Sequence, residues 1–207
     1  MEFAYMKNVI IIGTGGHAKV IADIVLCAGD RLVGFLTSDR DKKEFLGYPV
    51  LGQEADYCKF PDCSFIIAIG DNSARERIAG AMPGADWYTA IHPSAVISRL
   101  GVRIGEGSAI MANAVVNPCA QIGAHCIINS SAVVEHDNVT GDFSHISVGA
   151  KLAGTVSIGK RCLIGVGSCV REKVCITGGC VIGAGAAVVD DITEPGVYVG
   201  VPARKMK

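Results

Sequence analysis

Ile104-Gly105-Glu106-Gly107-Ser108-Ala109 opens a ladder that climbs in steps of six through Ile110, Val116, Ile122, Ile128, Val134, Thr140, Ile146, Leu152, Ile158, Ile164, Val170, Ile176, Ile182 and Val188. Thr140 is the one rung that is not a branched aliphatic. Four places after each rung comes a residue that is nearly always small, as at Ala114, Cys126, Ala132, Ser144, Ala150, Cys162 and Ala186. A helix repeats its apolar residues every three to four positions and a half-buried strand every two, so six fits neither. It fits a chain that turns a corner every six residues, with one short strand per side and about eighteen residues per coil. The large aliphatic points inward and stacks on its equivalent one coil away. The small residue fills the corner, where a larger one would overpack. The Gly that follows the aliphatic at Gly105, Gly123, Gly141, Gly159, Gly165 and Gly183 reads as a turn residue with unusual φ/ψ. Ile91 and Ile97 run one residue out of phase with Ile104, which places an insertion near Leu100-Gly101.

Upstream the pattern changes. Val9-Ile10-Ile11-Ile12 is a continuous apolar run of the kind that forms a buried parallel strand. Gly13-Thr14-Gly15-Gly16-His17 is a glycine-rich turn, and Ala18 to Ala28 follows with helical spacing. Val33 to Leu36 and Ser64 to Gly70 read as further strands, Thr37 to Glu44 as a loop and Tyr48 to Gly52 as a turn-rich connector. Asp71-Asn72-Ser73 caps a helix that ends before Pro83. Trp87 to Ile91 reads as a fourth strand. Residues 1–90 thus form an α/β, Rossmann-like domain and residues 91–207 an all-β parallel solenoid with a short tail. The glycine turn before a helix N-terminus suits phosphate groups; a tight turn with no ligand is the alternative. An NAD fold lacks support, because Asp39 stands three residues past Leu36 instead of ending the second strand.

The 207 residues carry a net charge of −1 and 50% apolar side chains, enough for a core and without a basic tract for nucleic acid. No apolar stretch approaches a membrane span. Met1 to Lys7 lacks a signal peptide's apolar core, so the chain is expected in the cytoplasm. The nine cysteines form no CxxC pair and read as reduced thiols.

Chemistry concentrates in Asn129 to His145. The repeat breaks there, with Glu135 in place of Gly and Thr140 in place of an aliphatic, and rule-breaking is expected where function overrides folding. His136 projects from that irregular coil. A histidine titrating near neutrality suits proton removal from an acceptor, and Asp137 or Glu135 is placed to orient it. A solvated corner histidine is the alternative. His125 and His92 read as structural, and no compact metal motif appears.

The repeat resembles the hexapeptide-repeat acyltransferases, whose fold is a left-handed parallel β-helix. Joined to the upstream domain, it resembles a bacterial group of sugar acetyltransferases. These act on UDP-linked 4-amino sugars (the bacillosamine pathway), on perosamine, or on sialic acid. The resemblance runs from Val9 to Arg204 on Gly15-Gly16-His17, Phe65 to Asn72, Asn129 to His145 and Gly200-Val201-Pro202-Ala203. It implies N-acetyl transfer from acetyl-CoA to a nucleotide-linked amino sugar, without a metal, in a homotrimer with active sites between subunits. It makes His136 the base and Asp137 its partner. It places His145 and Asn129 near the thioester or pantetheine, where His145 would donate a hydrogen bond, and sets Gly154, Val166, Gly183 and Ala184 against the pantetheine. Arg204 and Lys205 suit the cofactor phosphates; a solvated basic tail is the alternative. The sugar nucleotide would lie on Gly15, Gly16, His17, Thr37, Ser38 and Gly70; relatives that use UDP-sugars often carry acids where Thr37 and Ser38 stand. O-acetylation of sialic acid is the alternative within the class. A non-catalytic scaffold or nucleotide-binding protein is the alternative outside it.

Overall fold

The computed structural model describes residues 6–206, so Met1 to Tyr5, part of the opening read for a leader, lie outside the described residues. Strands β1 (Asn8–Ile12), β2 (Arg31–Leu36), β3 (Glu44–Phe45), β4 (Tyr48–Gly52) and β5 (Ser64–Ile67) form one sheet in the order β3-β4-β2-β1-β5. All pairings are parallel except the β3–β4 hairpin. Helix α1 (Gly16–Cys27) crosses from β1 to β2, and α2 (Asn72–Gly80) follows β5 with Asp71 as its N-cap, accepting from the Ala74 N–H at 2.7 Å. The stretch 48–52 is therefore a strand and not a connector. Pro49 and the flanking glycines mask it in the sequence, but Val50 pairs with Phe35.

Residues 90–205 wind into a three-faced solenoid whose strands pair in parallel, apart from the last pair, where Arg204–Lys205 runs antiparallel to Val197–Val199. The first face has eight strands, including Ile127–Ile128, His145–Ile146, Leu163–Ile164 and Val181–Ile182. The second has six, including Val133–Val134 and Lys151–Leu152, and the third has five, including Val139–Thr140 and Ser157–Ile158. Successive coils pair 18 residues apart, as in Gln121↔Val139 and Val133↔Lys151. The first coil pairs 19 apart at Ala90↔Ala109 and Val96↔Val115, while Arg103↔Gln121 is back in phase. The extra residue thus lies between Ile97 and Arg103, as the sequence indicates. Ala90–Ile91 belongs to this first coil, not to the upstream sheet, which Trp87 joins only by a bridge to Phe65.

The turn glycines have a different cause from the one the sequence suggests. Left-handed φ recurs every sixth residue from Gly101 through Gly107, Asn113, Cys119, His125, Ser131, Asp137, Phe143, Gly149, Thr155, Arg161, Gly167, Lys173 and Gly179 to Gly185. These are three places after the aliphatic, not one. The backbone N–H of such a residue reaches the coil before it, as in Asp137 N to Pro118 O at 3.0 Å and Phe143 N to Ala124 O at 2.9 Å. That hydrogen bond helps offset the roughly 1–2 kcal/mol cost of the left-handed conformation. The Gly directly after the aliphatic is required by close approach: a Cβ at Gly123 or Gly141 would lie 2.6 Å from a backbone nitrogen of the next coil.

The aliphatic ladder and its small residues form one core along the solenoid axis. A second core joins α1 and the upstream sheet to the outer side of the first face through Tyr88, Ala90, Ala109, Met111 and Ile127. All nine cysteines are free thiols, and Cys126, Cys162 and Cys180 are buried at corners, as expected.

Candidate active site

His136 occupies the corner between the second and third faces. Its carbonyl accepts from Thr155 N at 2.9 Å, and Asp137 is fixed in the left-handed region by its own bond to the coil before, so the backbone under the imidazole is held from both sides. Asp137 tolerates that conformation better than most residues. The ring Nδ1 lies 2.8 Å from Asp137 Oδ2. A carboxylate only accepts, so Nδ1 carries the proton and Nε2 presents its lone pair. Nε2 faces Gly154 one coil on, where a Cβ would come within 2.5 Å of it. The side chain is 57% exposed, so it is available to a ligand. Glu135 does not hold the ring; its Oε2 receives only the His136 backbone N–H, at 3.4 Å.

Gly15, Gly16, His17, Thr37, Ser38 and Gly70 come from three strand ends and the start of α1, and all six line one cleft of about 410 Å³. Glu54 also lines it, and Lys42 closes on it, donating to Thr14 O at 3.3 Å while lying 4.7 Å from the Phe45 ring. His17 Nε2 is buried there without a hydrogen-bond partner among the described residues. Burial, then His145, then Arg75 push the His17 pKa down to about 4.

His145 points outward from the first face beneath that cleft. Asn129 Oδ1 accepts from Ser130 N at 2.8 Å, which turns the amide Nδ2 toward His145 Nε2 at 2.9 Å. Nε2 therefore accepts. Burial, then Arg75, push the His145 pKa down to about 4, and the Gly70 backbone opposes the shift. With Nε2 engaged inside the chain, the second amide hydrogen of Asn129 is a further donor at this point.

Arg75 is the residue that the sequence does not disclose. It is 1% exposed, at the junction of α2 with the solenoid. It donates to the carbonyls of Ile69, Gly70, His125 and Phe143 at 2.8–3.1 Å and to Asn72 Oδ1 at 2.8 Å. Its acceptors are chiefly main-chain groups, which no side-chain motif announces. His125 is buried, stacks on Phe143 at 5.0 Å and meets Trp87 edge-on at 4.7 Å. Among the described residues one group has metal-ligand types, Asp23, Cys27 and His92, with ligand atoms within 4.8 Å of one another. His92 Nδ1 already accepts from Ser94 N at 3.0 Å, which puts the neutral ring's proton on Nε2 and leaves no lone pair for a metal.

Residues 8–82 match the family model of the PglD N-terminal domain, and residues 101–136 match that of the bacterial transferase hexapeptide (six repeats). The acetyltransferase domain of PglB from Neisseria gonorrhoeae FA1090 is 34% identical with a TM-score of 0.91, over 97% of this chain and 100% of that one. The chain belongs to the hexapeptide-repeat sugar N-acetyltransferases. PerB from Caulobacter crescentus, solved in complex with CoA and GDP-perosamine, is 38% identical with a TM-score of 0.91 over 97% of both chains. UDP-N-acetylbacillosamine N-acetyltransferase of Bacillus subtilis (strain 168) is 40% identical over 114 residues, 52% of each chain. The chain spans about half or less of the length of the curated relatives that it matches, 52% and 24%.

In this N-acetyltransferase fold the expected cofactor residues divide between two corners. Gly154 shares the corner of Glu135, His136 and Asp137. Asn129, Val166, Gly183 and Ala184 lie at the corner between the first and second faces, next to His145. Val166 is 52% exposed and Ala184 is exposed beside it. Gly183 is covered by the chain's own last strands, its N–H bonded to Tyr198 O at 2.8 Å. Arg204 and Lys205 are paired with Asp190 at 3.6 Å and Glu194 at 2.8 Å. His136 and His145 are nine residues apart in an 18-residue coil, half a turn, so one chain holds them on different sides.

Proposed function

We propose that the protein transfers the acetyl group of acetyl-CoA to the amine of a nucleotide-linked amino sugar. The observation that carries this reading is the His136–Asp137 pair on a fold that 97% of the chain shares with the acetyltransferase domain of PglB. His136 Nε2 takes a proton from the amine as nitrogen bonds to the thioester carbonyl carbon, and Asp137 keeps Nδ1–H in place and stabilises the imidazolium. When the C–S bond breaks, His136 returns the proton to the departing sulfur, so the ring ends as it began.

Residues 1–90 serve as the acceptor unit, with the nucleotide in the Gly15–Gly16–His17, Thr37–Ser38 and Gly70 cleft. Residues 91–207 serve as the acyl unit. The exposed corner of Val148, Val166 and Ala184, rich in small apolar groups, suits a pantetheine arm, and Asn129 offers it a donor. The half-turn between His136 and His145 supports a homotrimer in which His136 of one subunit completes the cleft of the next. Nine free thiols suit a reducing cytoplasm, and among the described residues no helix is long and apolar enough to cross a membrane.

The test is a panel of UDP-, GDP- and dTDP-linked amino sugars plus free sialic acid, each with acetyl-CoA, read by thiol release. Release with a nucleotide amino sugar and not with sialic acid is the expected result. Release with sialic acid alone selects O-acetylation, and release with none of them overturns the reading.

A further inference from the structure

Arg75 is a buried cation whose hydrogen-bond partners among the described residues include no carboxylate. A buried charge is costly unless hydrogen bonds satisfy it, and an apolar residue of similar size would often be as stable there. The guanidinium is satisfied by three separate parts of the fold. Nη1 takes the carbonyls of Ile69 and Gly70, the wall of the nucleotide cleft. Nε takes His125 O, and Nη2 takes Phe143 O, with Ser144 O at 3.5 Å; these belong to two successive coils, and Ser144 directly precedes His145. Nη2 also holds Asn72 Oδ1, while Asn72 Nδ2 donates to Cys162 O on the next coil, at 3.0 Å. A rigid planar fork can hold such a set; an ammonium has only three donors.

We propose that Arg75 is a positioning residue that fixes the Gly70 wall of the acceptor cleft against the strand carrying His145, and so sets the nucleotide sugar in register with the acetyl donor. This rests on the acetyl transfer proposed above. The titratable groups around Arg75 are His17 on α1, Asp71 on its own helix, and His125, Cys126, Asp142 and His145 on the solenoid. After burial, its charge helps hold His145 neutral, and after burial and His145 it does the same for His17, whose Nε2 has no partner among the described residues and meets a ligand without a charge of its own.

Arg75→Lys and Arg75→Gln separate the clamp from the charge. Both lose the fork, and each should raise KM for the nucleotide sugar about tenfold or more, the worth of one or two lost hydrogen bonds, with KM for acetyl-CoA within about threefold. Histidine NMR titration should leave His17 and His145 neutral to low pH in Arg75→Lys and move their titrations upward in Arg75→Gln. A lower Tm with an unchanged KM ratio and unchanged titrations in the folded variants would show a merely structural residue and overturn the proposal. If Arg75→Gln does not fold, the KM split of Arg75→Lys decides. If the wild type acetylates none of the panel, the proposed function falls, and calorimetric affinities for UDP and GDP replace KM. Equal affinity in wild type and Arg75→Lys, or no binding by the wild type, then overturns the positioning role.

Discussion

Replacing Gly154 by Ala should disable the enzyme while leaving the fold intact. The new Cβ would sit 2.5 Å from His136 Nε2 and 2.6 Å from Cε1. Nonbonded heavy atoms rest at roughly 3.5 Å or more, so the ring must retreat by about 1 Å. The backbone does not resist, because Gly154 is not among the left-handed residues. The ring is more than half exposed and has solvent to move into. A misplacement of about 1 Å is worth as much as 10²-fold in rate, or about 2.7 kcal/mol of barrier. Stability should hold or rise slightly, since Gly→Ala at a compatible site gains about 0.4–1 kcal/mol through the unfolded chain. The assay is kcat by thiol release at saturating substrates, alongside thermal melting. Gly141→Ala is the control: its Cβ would meet the Lys160 backbone nitrogen at 2.6 Å, which cannot step aside. It should cost about 1–3 kcal/mol of stability, roughly 2–12 °C in Tm, and leave kcat of the folded protein unchanged. A Gly154→Ala enzyme with kcat within threefold of wild type would refute the reasoning that Nε2 works from this position.

Three further outcomes follow from the same geometry. Asn129→Ala removes the partner of His145 Nε2 and should raise KM for acetyl-CoA by roughly 2- to 10-fold, the worth of one hydrogen bond, with KM for the sugar little changed. His17, His125 and His145 all have pKa values lowered to about 4 from 6.5. The unfolded chain therefore binds more protons between those values, and stability should fall as pH drops from 6.5 to 4, by at most roughly 4 kcal/mol per pH unit for three protons; a flat Tm across that window contradicts the burial of these rings. Mixing inactive His136→Ala subunits with inactive Ser38→Trp subunits, whose cleft is blocked, should restore activity after subunit exchange, whereas sites contained within one chain would stay dead.

The solenoid was legible because its physics is periodic. Each coil imposes the same demand for one large and one small inward residue, so even the one-residue slip near Leu100-Gly101 shows in the phase of the ladder. The cleft residues were legible for a related reason: glycine-rich strand ends have few alternatives to a turn beside a helix. Corner conformation was not legible, because the left-handed positions carry Asn, Cys, His, Ser, Asp, Phe, Thr, Arg and Lys as well as Gly. Their common feature is a backbone bond to the coil before, which leaves little trace in residue type. Arg75 was hidden similarly, in a helix start that reads as polar and exposed. That a Cβ at Gly154 would meet the His136 ring, one coil back, leaves no mark in the sequence either.

At the centre of the chemistry proposed stands proton removal from a sugar amine by the His136 imidazole, held by Asp137. It is tested most directly by single-turnover acetyl transfer with His136→Ala on the acceptor that the panel identifies, after calorimetry shows that both ligands still bind. The rate should fall about 10²- to 10⁴-fold below wild type, the usual share of a general base. Transfer at the wild-type rate with both ligands bound would contradict it.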